Sequence, residues 1–166
     1  GYRANALRRI LAVLELAGME PRILDEVCCG YPLRVFGFKD RYDANRGRLV
    51  AILEGQEEIL TLCPPCTVEL VAGNGLPARH AMEAMVERIG DMEVRRPLDA
   101  VVTYHDPCHI GRHGGIYEPP REVLRAIPGV ELGEMEHNRE DGLCCGSVIS
   151  RVGRPLAADA IGIFRM

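Results

Sequence analysis

Ala100-Val101-Val102-Thr103-Tyr104-His105-Asp106-Pro107-Cys108-His109 sets out, in one stretch, a pattern that runs through the whole chain. Apolar and β-branched residues in unbroken succession predict a buried strand. Asp106-Pro107 turns the chain, and the turn delivers a cysteine at once. The same device stands earlier, where Glu58-Ile59-Leu60-Thr61-Leu62 runs as a strand into Cys63-Pro64-Pro65-Cys66. Working outward, helices are expected over Ala4–Leu16 (stopped by Gly18), Asp43–Leu53, Thr67–Ala72, Arg79–Ile89, Pro119–Ala126 and Pro155–Phe164. Short strands are expected over Arg22–Asp25 and Val130–Met135, and a loop over Tyr31–Phe38. Strands alternating with helices predict an α/β fold with largely parallel sheets flanked by helices, its cysteine-bearing loops at the strand ends.

Two Cys-Cys-Gly triplets punctuate this pattern, Cys28-Cys29-Gly30 and Cys144-Cys145-Gly146. Adjacent cysteines are hard to pack into one core together, but they suit a site where several thiolates converge. A glycine behind the pair lets the backbone turn tightly and approach such a site. Each triplet follows a helix, a glycine break and a short strand, so the chain reads as an internal duplication. The halves are residues 1–96 and 97–166.

The chain has 166 residues, is 47% hydrophobic and 27% charged, and carries a net charge of −4. That is ordinary for a globular protein long enough to bury a core, and it leaves no basic footprint for nucleic acid. No apolar run reaches the ~20 residues of a membrane span. Nor does the N-terminus read as a secretory leader, with Arg3, Arg8 and Arg9 among its apolar residues. Seven cysteines, an odd number without an export signal, argue for metal or redox chemistry in a reducing cytoplasm over a disulfide framework.

The spacing of the thiols narrows the metal. Cys63 and Cys66 sit on one tight CxxC turn, and a helix starting there would favour thiolate through its dipole. Tetrahedral thiolate sites select zinc or iron–sulfur clusters. Zinc takes four ligands, commonly on two CxxC-like knuckles, whereas each half here spreads a lone Cys, a vicinal pair or a CxxC over long separations. The set Cys28, Cys29, Cys63, Cys66, Cys108, Cys144 and Cys145 therefore points to clustered iron, with a structural zinc module as the alternative. Alone, Cys63-Pro64-Pro65-Cys66 would also fit a thioredoxin-like pair.

These residues resemble a known family. Thr103-Tyr104-His105-Asp106-Pro107-Cys108-His109-Ile110-Gly111-Arg112-His113 is similar to the signature of the cysteine-rich CCG domain, as is Asn138-Arg139-Glu140 running into Cys144-Cys145-Gly146. The domain occurs in the B and D subunits of heterodisulfide reductases and in iron–sulfur subunits of glycolate, lactate and anaerobic glycerol-3-phosphate dehydrogenases. The resemblance covers nearly the whole chain and is more specific for the domain than for a substrate. It implies tandem five-cysteine motifs, each binding a 4Fe-4S cluster that is non-cubane in the heterodisulfide reductases. Carried over by position, the first motif keeps Cys28, Cys29, Cys63 and Cys66, and the second keeps Cys108, Cys144 and Cys145. The remaining ligands would fall before Gly1 and after Met166, so two complete clusters are not expected on this stretch alone. Where relatives often have a glycine-rich run after the second triplet, Ser147-Val148-Ile149-Ser150 stands here.

What the resemblance implies for function is an oxidoreductase subunit that transfers electrons and reduces a disulfide within a complex. Its partners would be iron–sulfur, flavin or membrane-cytochrome subunits, with a small thiol or disulfide as substrate. In the flavin-dehydrogenase alternative, the electrons would come from a hydroxy acid. The expected location is the cytoplasm, with any membrane association made through a partner. No catalytic residue is singled out. His105, His109 and His113 flank the lone Cys108, where they would relay protons, hydrogen-bond a cluster sulfur or simply cap the turn. Gly111, Gly114 and Gly115 lack the order of a phosphate-binding fingerprint. Glu134, Glu136, Glu140 and Asp141 read as a solvated edge. Tyr31, Phe36 and Phe38 would shield a cluster or pack.

Overall fold

The computed structural model describes residues 2–24, 27–93 and 96–146. In chain order these form helices α1 (Tyr2–Leu16), α2 (Tyr31–Val35) and α3 (Lys39–Leu53), then strand β1 (Ile59–Thr61), helix α4 (Pro64–Val71), strand β2 (Ala78–His80) and helix α5 (Ala81–Val86). Strand β3 (Ala100–Thr103), helix α6 (Glu118–Arg125) and strand β4 (Val130–Gly133) follow, with single 3-10 turns at Ile89–Asp91 and Arg139–Asp141. β1 pairs parallel with β2, Ile59 opposite Ala78, and β3 pairs parallel with β4, Ala100 opposite Val130. The α/β class with parallel, helix-flanked sheets is borne out, and both β1 and β3 end at a cysteine loop.

Local chemistry explains the boundaries. Pro64 and Pro65 open α4, and Pro119 and Pro120 open α6, where a missing N–H costs nothing. His80 caps α5 with a reciprocal box: its Nδ1 accepts the Met82 N–H, and Glu83 accepts the His80 N–H at 3.0 Å. Gly129 must be glycine. Its φ is +82°, and a Cβ there would meet the Leu98 carbonyl at 3.0 Å. That close approach lets Leu98 and Ala100 donate to the Pro128 and Gly129 carbonyls and start the β3–β4 ladder.

Three expectations are corrected. Tyr31–Phe38 is not a loop throughout, because its first residues form α2, launched by Gly30 in the left-handed region with Pro32 in the first turn. Arg79–Ile89 is not one helix: Arg79 and His80 face Leu60 and Thr61 as β2, and the helix begins only after the His80 cap. The helical spacing of Met82 and Met85 masked that strand. Arg22–Leu24 is irregular and does not pair as a strand, β1 having its parallel partner in β2. The helix expected at Pro155–Phe164 lies outside the described residues.

Two cores position the site. Cys29, Leu49, Leu53, Ile59 and Leu70 form one, so the first triplet is anchored in apolar packing by its second cysteine. Leu14, Ala81 and Met85 form the other, with Val123 of α6 packed against it. That second cluster joins α1, α5 and α6.

Candidate metal centre

The first thiol group is assembled from three places in the sequence. Cys63 lies two residues beyond β1 and immediately before α4, and Cys66 lies in the first turn of that helix. Both the Cys66 and Thr67 N–H groups donate to the Cys63 carbonyl, at 2.9 and 3.2 Å, and the Thr61 and Thr67 hydroxyls hydrogen-bond behind it. Cys29 comes from the triplet loop and is buried. Its thiol shares hydrogen bonding with Cys66, which also reaches Cys63. Cys66 therefore holds Cys63 down to about 6 and Cys29 to about 7, and its own proton becomes hard to remove. The three thiols border a cavity of about 510 Å³ whose other walls are apolar apart from Thr61, among them Leu24, Ile52, Leu60 and Leu70. Cys28 is exposed and has a different neighbour: its Sγ accepts the Gly30 N–H at 3.5 Å.

Gly30 is held at φ +84°, and a Cβ would press on Tyr42 and Asn45 at 3.0 Å. Asn45 in turn donates to the Cys28 carbonyl at 2.7 Å, locking the triplet onto α3. Behind the CxxC helix lies Glu69, a residue that no motif in the sequence marks. It is 2% exposed and accepts Arg34 Nε at 2.7 Å and the Tyr42 hydroxyl at 2.9 Å. One carboxylate thus ties α2, α3 and α4 together behind the thiols.

The second thiol group repeats the triplet geometry. Gly146 has φ +66°, and its N–H donates to Cys144 Sγ at 3.4 Å, as Gly30 does to Cys28. Cys108 is half-buried, and burial together with the charges of Cys144 and Cys145 pushes its thiol up, so these three cysteines are neighbours. Three ties hold the loops together. Asp106 accepts the Arg139 N–H at 2.7 Å, His105 Nε2 meets the Leu143 carbonyl at 2.8 Å, and Arg112 donates to the Gly142 carbonyl.

Arg121 is the keystone of this half, and no motif marks it either. It is fully buried, and all five of its N–H donors are used: Nε to Glu134 (2.7 Å), one terminal nitrogen to Asp106 and the Tyr117 carbonyl (2.8 and 2.7 Å), the other to Asp106 and Glu134 (2.7 and 2.9 Å). Its guanidinium lies 5.4 Å from the Tyr104 ring centre. Burial pushes Asp106 up, but the hydrogen bonds from Arg121 and from the Arg139 backbone overcome it and hold the carboxyl below its ordinary value. Glu134, expected to be only part of a solvated edge, is instead a partner of this buried cation. A helical spacing of apolar residues would not reveal Arg121, because its helix buries Pro120 and an arginine.

Of the seven cysteines, the structure brings Cys29, Cys63 and Cys66 together at one place and Cys108, Cys144 and Cys145 at another; none of the seven is in a disulfide. Tyr31 and His109 connect the two places, the tyrosine hydroxyl lying 2.7 Å from His109 Nε2 and His109 Nδ1 3.5 Å from Cys108 Sγ.

This is a cysteine-rich α/β domain with paired thiol groups at its strand ends. The model of the CCG cysteine-rich domain matches residues 2–71 and 102–166, and the chain belongs to that family. It is 36% identical, over 92% of its length, to the B subunit of the fumarate reductase (CoM/CoB) of Methanothermobacter marburgensis, of which it covers 32%. It is 35% identical, over 89% of its length, to the D subunit of the dihydromethanophenazine:CoB–CoM heterodisulfide reductase of Methanosarcina acetivorans, of which it covers 40%. A probable iron-sulfur-binding oxidoreductase of Bacillus subtilis is 47% identical over 41% of this chain and 10% of its own length. The chain thus spans less than half the length of these relatives. No solved structure matches it significantly. Among the described residues no helix is long and apolar enough to cross a membrane.

Proposed function

We propose that this chain is the thiolate-bearing part of an iron–sulfur oxidoreductase subunit of the heterodisulfide reductase D/B type. The observation that carries the reading is the meeting of Cys29, Cys63 and Cys66 at one apolar cavity, Cys28 preceding Cys29 in the triplet with its Sγ on the Gly30 N–H. The donor set fits an iron–sulfur cluster: soft thiolates from a vicinal pair and a CxxC, grouped around space instead of around a point. Cys28, Cys29, Cys63 and Cys66 would hold a 4Fe-4S cluster in the half formed by residues 1–96. Cys108, Cys144 and Cys145 would contribute to a second in residues 97–166. When bound, such a cluster accepts and passes on single electrons.

The chain's own residues hold the thiols in place, and Leu24, Ile52 and Leu70 give the Cys29 side an apolar lining. The names of its relatives favour the substrate class. The reaction is reduction of a small disulfide to two thiols, consuming two electrons and two protons, with the electrons delivered by partner oxidoreductase subunits. Iron and acid-labile sulfide after anaerobic purification test the cluster, and a thiol titration followed by EPR tests the reaction. Iron and sulfide near four each or above, with a new paramagnetic species on adding thiol, is the expected result. Iron and sulfide without a thiol-dependent species would reduce the assignment to an electron relay, and zinc alone would overturn it.

A further inference from the structure

Tyr31 stands immediately after the first triplet, and His109 immediately after the lone cysteine of the second thiol group. They meet across 78 residues of sequence with a 2.7 Å contact between the tyrosine hydroxyl and Nε2. The rings pack edge to face, their centres 4.8 Å apart and their planes at 88°. On the other side of the imidazole, Nδ1 lies 3.5 Å from Cys108 Sγ. His113 packs against the same ring at 5.0 Å, and the Arg34 guanidinium lies 5.5 Å from the centre of the Tyr31 ring. His109 is therefore held from several sides and makes a directed contact through each nitrogen.

The polarity of this chain of contacts is fixed by what the cysteine becomes as a ligand. A thiol can donate, but a thiolate can only accept. A neutral imidazole has one donor and one acceptor nitrogen. Once Cys108 is a thiolate, a lone pair on Nδ1 would face a charged sulfur. The arrangement without that repulsion has Nδ1–H donating to Cys108 Sγ, Nε2 accepting, and the Tyr31 hydroxyl donating. A partner on the far nitrogen is the ordinary means of fixing which tautomer a ligand-side histidine presents. Here the partner comes from the other half of the chain.

We propose that His109, oriented by Tyr31, is a positioning residue that donates an N–H···S hydrogen bond to the Cys108 thiolate and raises the reduction potential of the cluster held there. Hydrogen bonds to cluster sulfurs withdraw charge from them and so favour the reduced, more negative state. The role rests on the iron–sulfur reading above and adds a specific device to it: the loop of the first triplet sets the electronic environment of the second thiol group through one hydroxyl. It also gives His109 a use that turn-capping would not. A cap needs a bond to backbone, whereas both ring nitrogens here point at side chains.

The test uses the full chain, loaded with iron and sulfide, in four forms: the parent, Tyr31→Phe, His109→Phe and Cys108→Ala. Iron content and midpoint potential are measured for each. The expected result is that Cys108→Ala loses the iron held by the second thiol group and keeps that of the first, while the other two variants keep all the parent's iron and lower the potential of the second group's cluster, His109→Phe more so than Tyr31→Phe. His109→Asn, whose amide can stand where Nδ1–H stood, should recover part of the shift. Unchanged potentials at full iron content overturn the inference and leave the iron–sulfur reading intact. Full iron in Cys108→Ala also overturns it, since Cys108 is then no ligand. A parent chain that takes up no iron overturns the iron–sulfur reading itself, and this inference with it.

Discussion

Replacing Arg121 by alanine should destabilise the protein more than almost any other single change to a polar side chain. The guanidinium is fully buried and neutralises Asp106, whose side chain is 2% exposed. Removing it leaves that carboxylate, among the described residues, with only the Arg139 N–H as hydrogen-bond partner. Glu134 fares better, being 30% exposed at the side chain and lying 3.8 Å from Arg139 and 4.0 Å from Arg125. The loss is thus dominated by one stranded buried charge. Breaking a buried pair from one side costs about 3–5 kcal/mol, and the surviving Arg139 contact places the expectation at about 3–4 kcal/mol. At about 2–4 °C per kcal/mol for a chain of this size, the melting temperature should fall by about 6–16 °C.

Thermal and urea unfolding of the parent, Arg121→Ala, Arg121→Met, Asp106→Asn and the double variant Arg121→Met/Asp106→Asn form the assay. The double variant removes both charges and fills the space, so it should recover more than half the loss seen in Arg121→Ala. Arg121→Lys keeps the charge but offers three donors in place of a five-donor fork, and should fall between parent and alanine. A loss below about 1 kcal/mol in Arg121→Ala would refute the reasoning, since that is what an exposed ion pair is worth. So would a double variant whose loss is the sum of the singles.

Three further outcomes follow from the same geometry. Glu69→Ala should cost about 2–3 kcal/mol in urea unfolding, because the carboxylate bonded to Arg34 and Tyr42 joins three helices; Glu69→Gln, which keeps the Tyr42 contact, should cost under half of that. Gly30→Ala should cost clearly more than Gly115→Ala: both backbones are left-handed, a penalty of about 1–2 kcal/mol, but only at Gly30 does a Cβ strike neighbours, and equal losses would sink the packing argument. Acid should weaken the second half. The Arg139 contact holds Glu118, and the Arg121 contact holds Glu134, below their ordinary values, so each contributes fully above the ordinary carboxylate range and loses that contribution as pH falls through its folded value. A melting temperature that is flat from pH 6 to pH 3, or one that drops equally in Arg121→Met, would contradict this.

Which parts of this arrangement the sequence announces depends on how local the signal is. β3 ending at Cys108 is readable because strand, turn and cysteine are contiguous, and the CCG resemblance rests on similarly short motifs. β2 is not readable, because three residues before a capped helix carry helical spacing of their own, and only the ladder to Ile59–Thr61 makes them a strand. α2 is hidden for the opposite reason: Tyr31-Pro32-Leu33-Arg34-Val35 looks like a loop until Gly30 turns the backbone into it. The thiols that the sequence marks do gather, but the sequence does not say that they gather as two sets of three with Cys28 turned to its own backbone. That depends on contacts 36 and 37 residues apart, between Cys29 and Cys66 and between Cys108 and the second triplet.

The two halves share their thiol device but not the parts that hold it. In each, a glycine in the left-handed region donates its N–H to the first cysteine of its triplet, at 3.5 Å in one and 3.4 Å in the other. The same contact recurs with the same three residues, Cys-Cys-Gly. Behind the thiols the polarity reverses. The first half buries a carboxylate, Glu69, and supplies its cation from a half-exposed Arg34; the second buries a cation, Arg121, and supplies carboxylates from Asp106 and Glu134. Either sign can serve, because what a buried ion needs is a saturated set of partners. Repetition visible in a sequence is therefore confined to groups whose chemistry fixes the residue type. The keystones are set by partner geometry alone, and that is why comparing the halves by sequence finds the triplets and passes over Glu69 and Arg121.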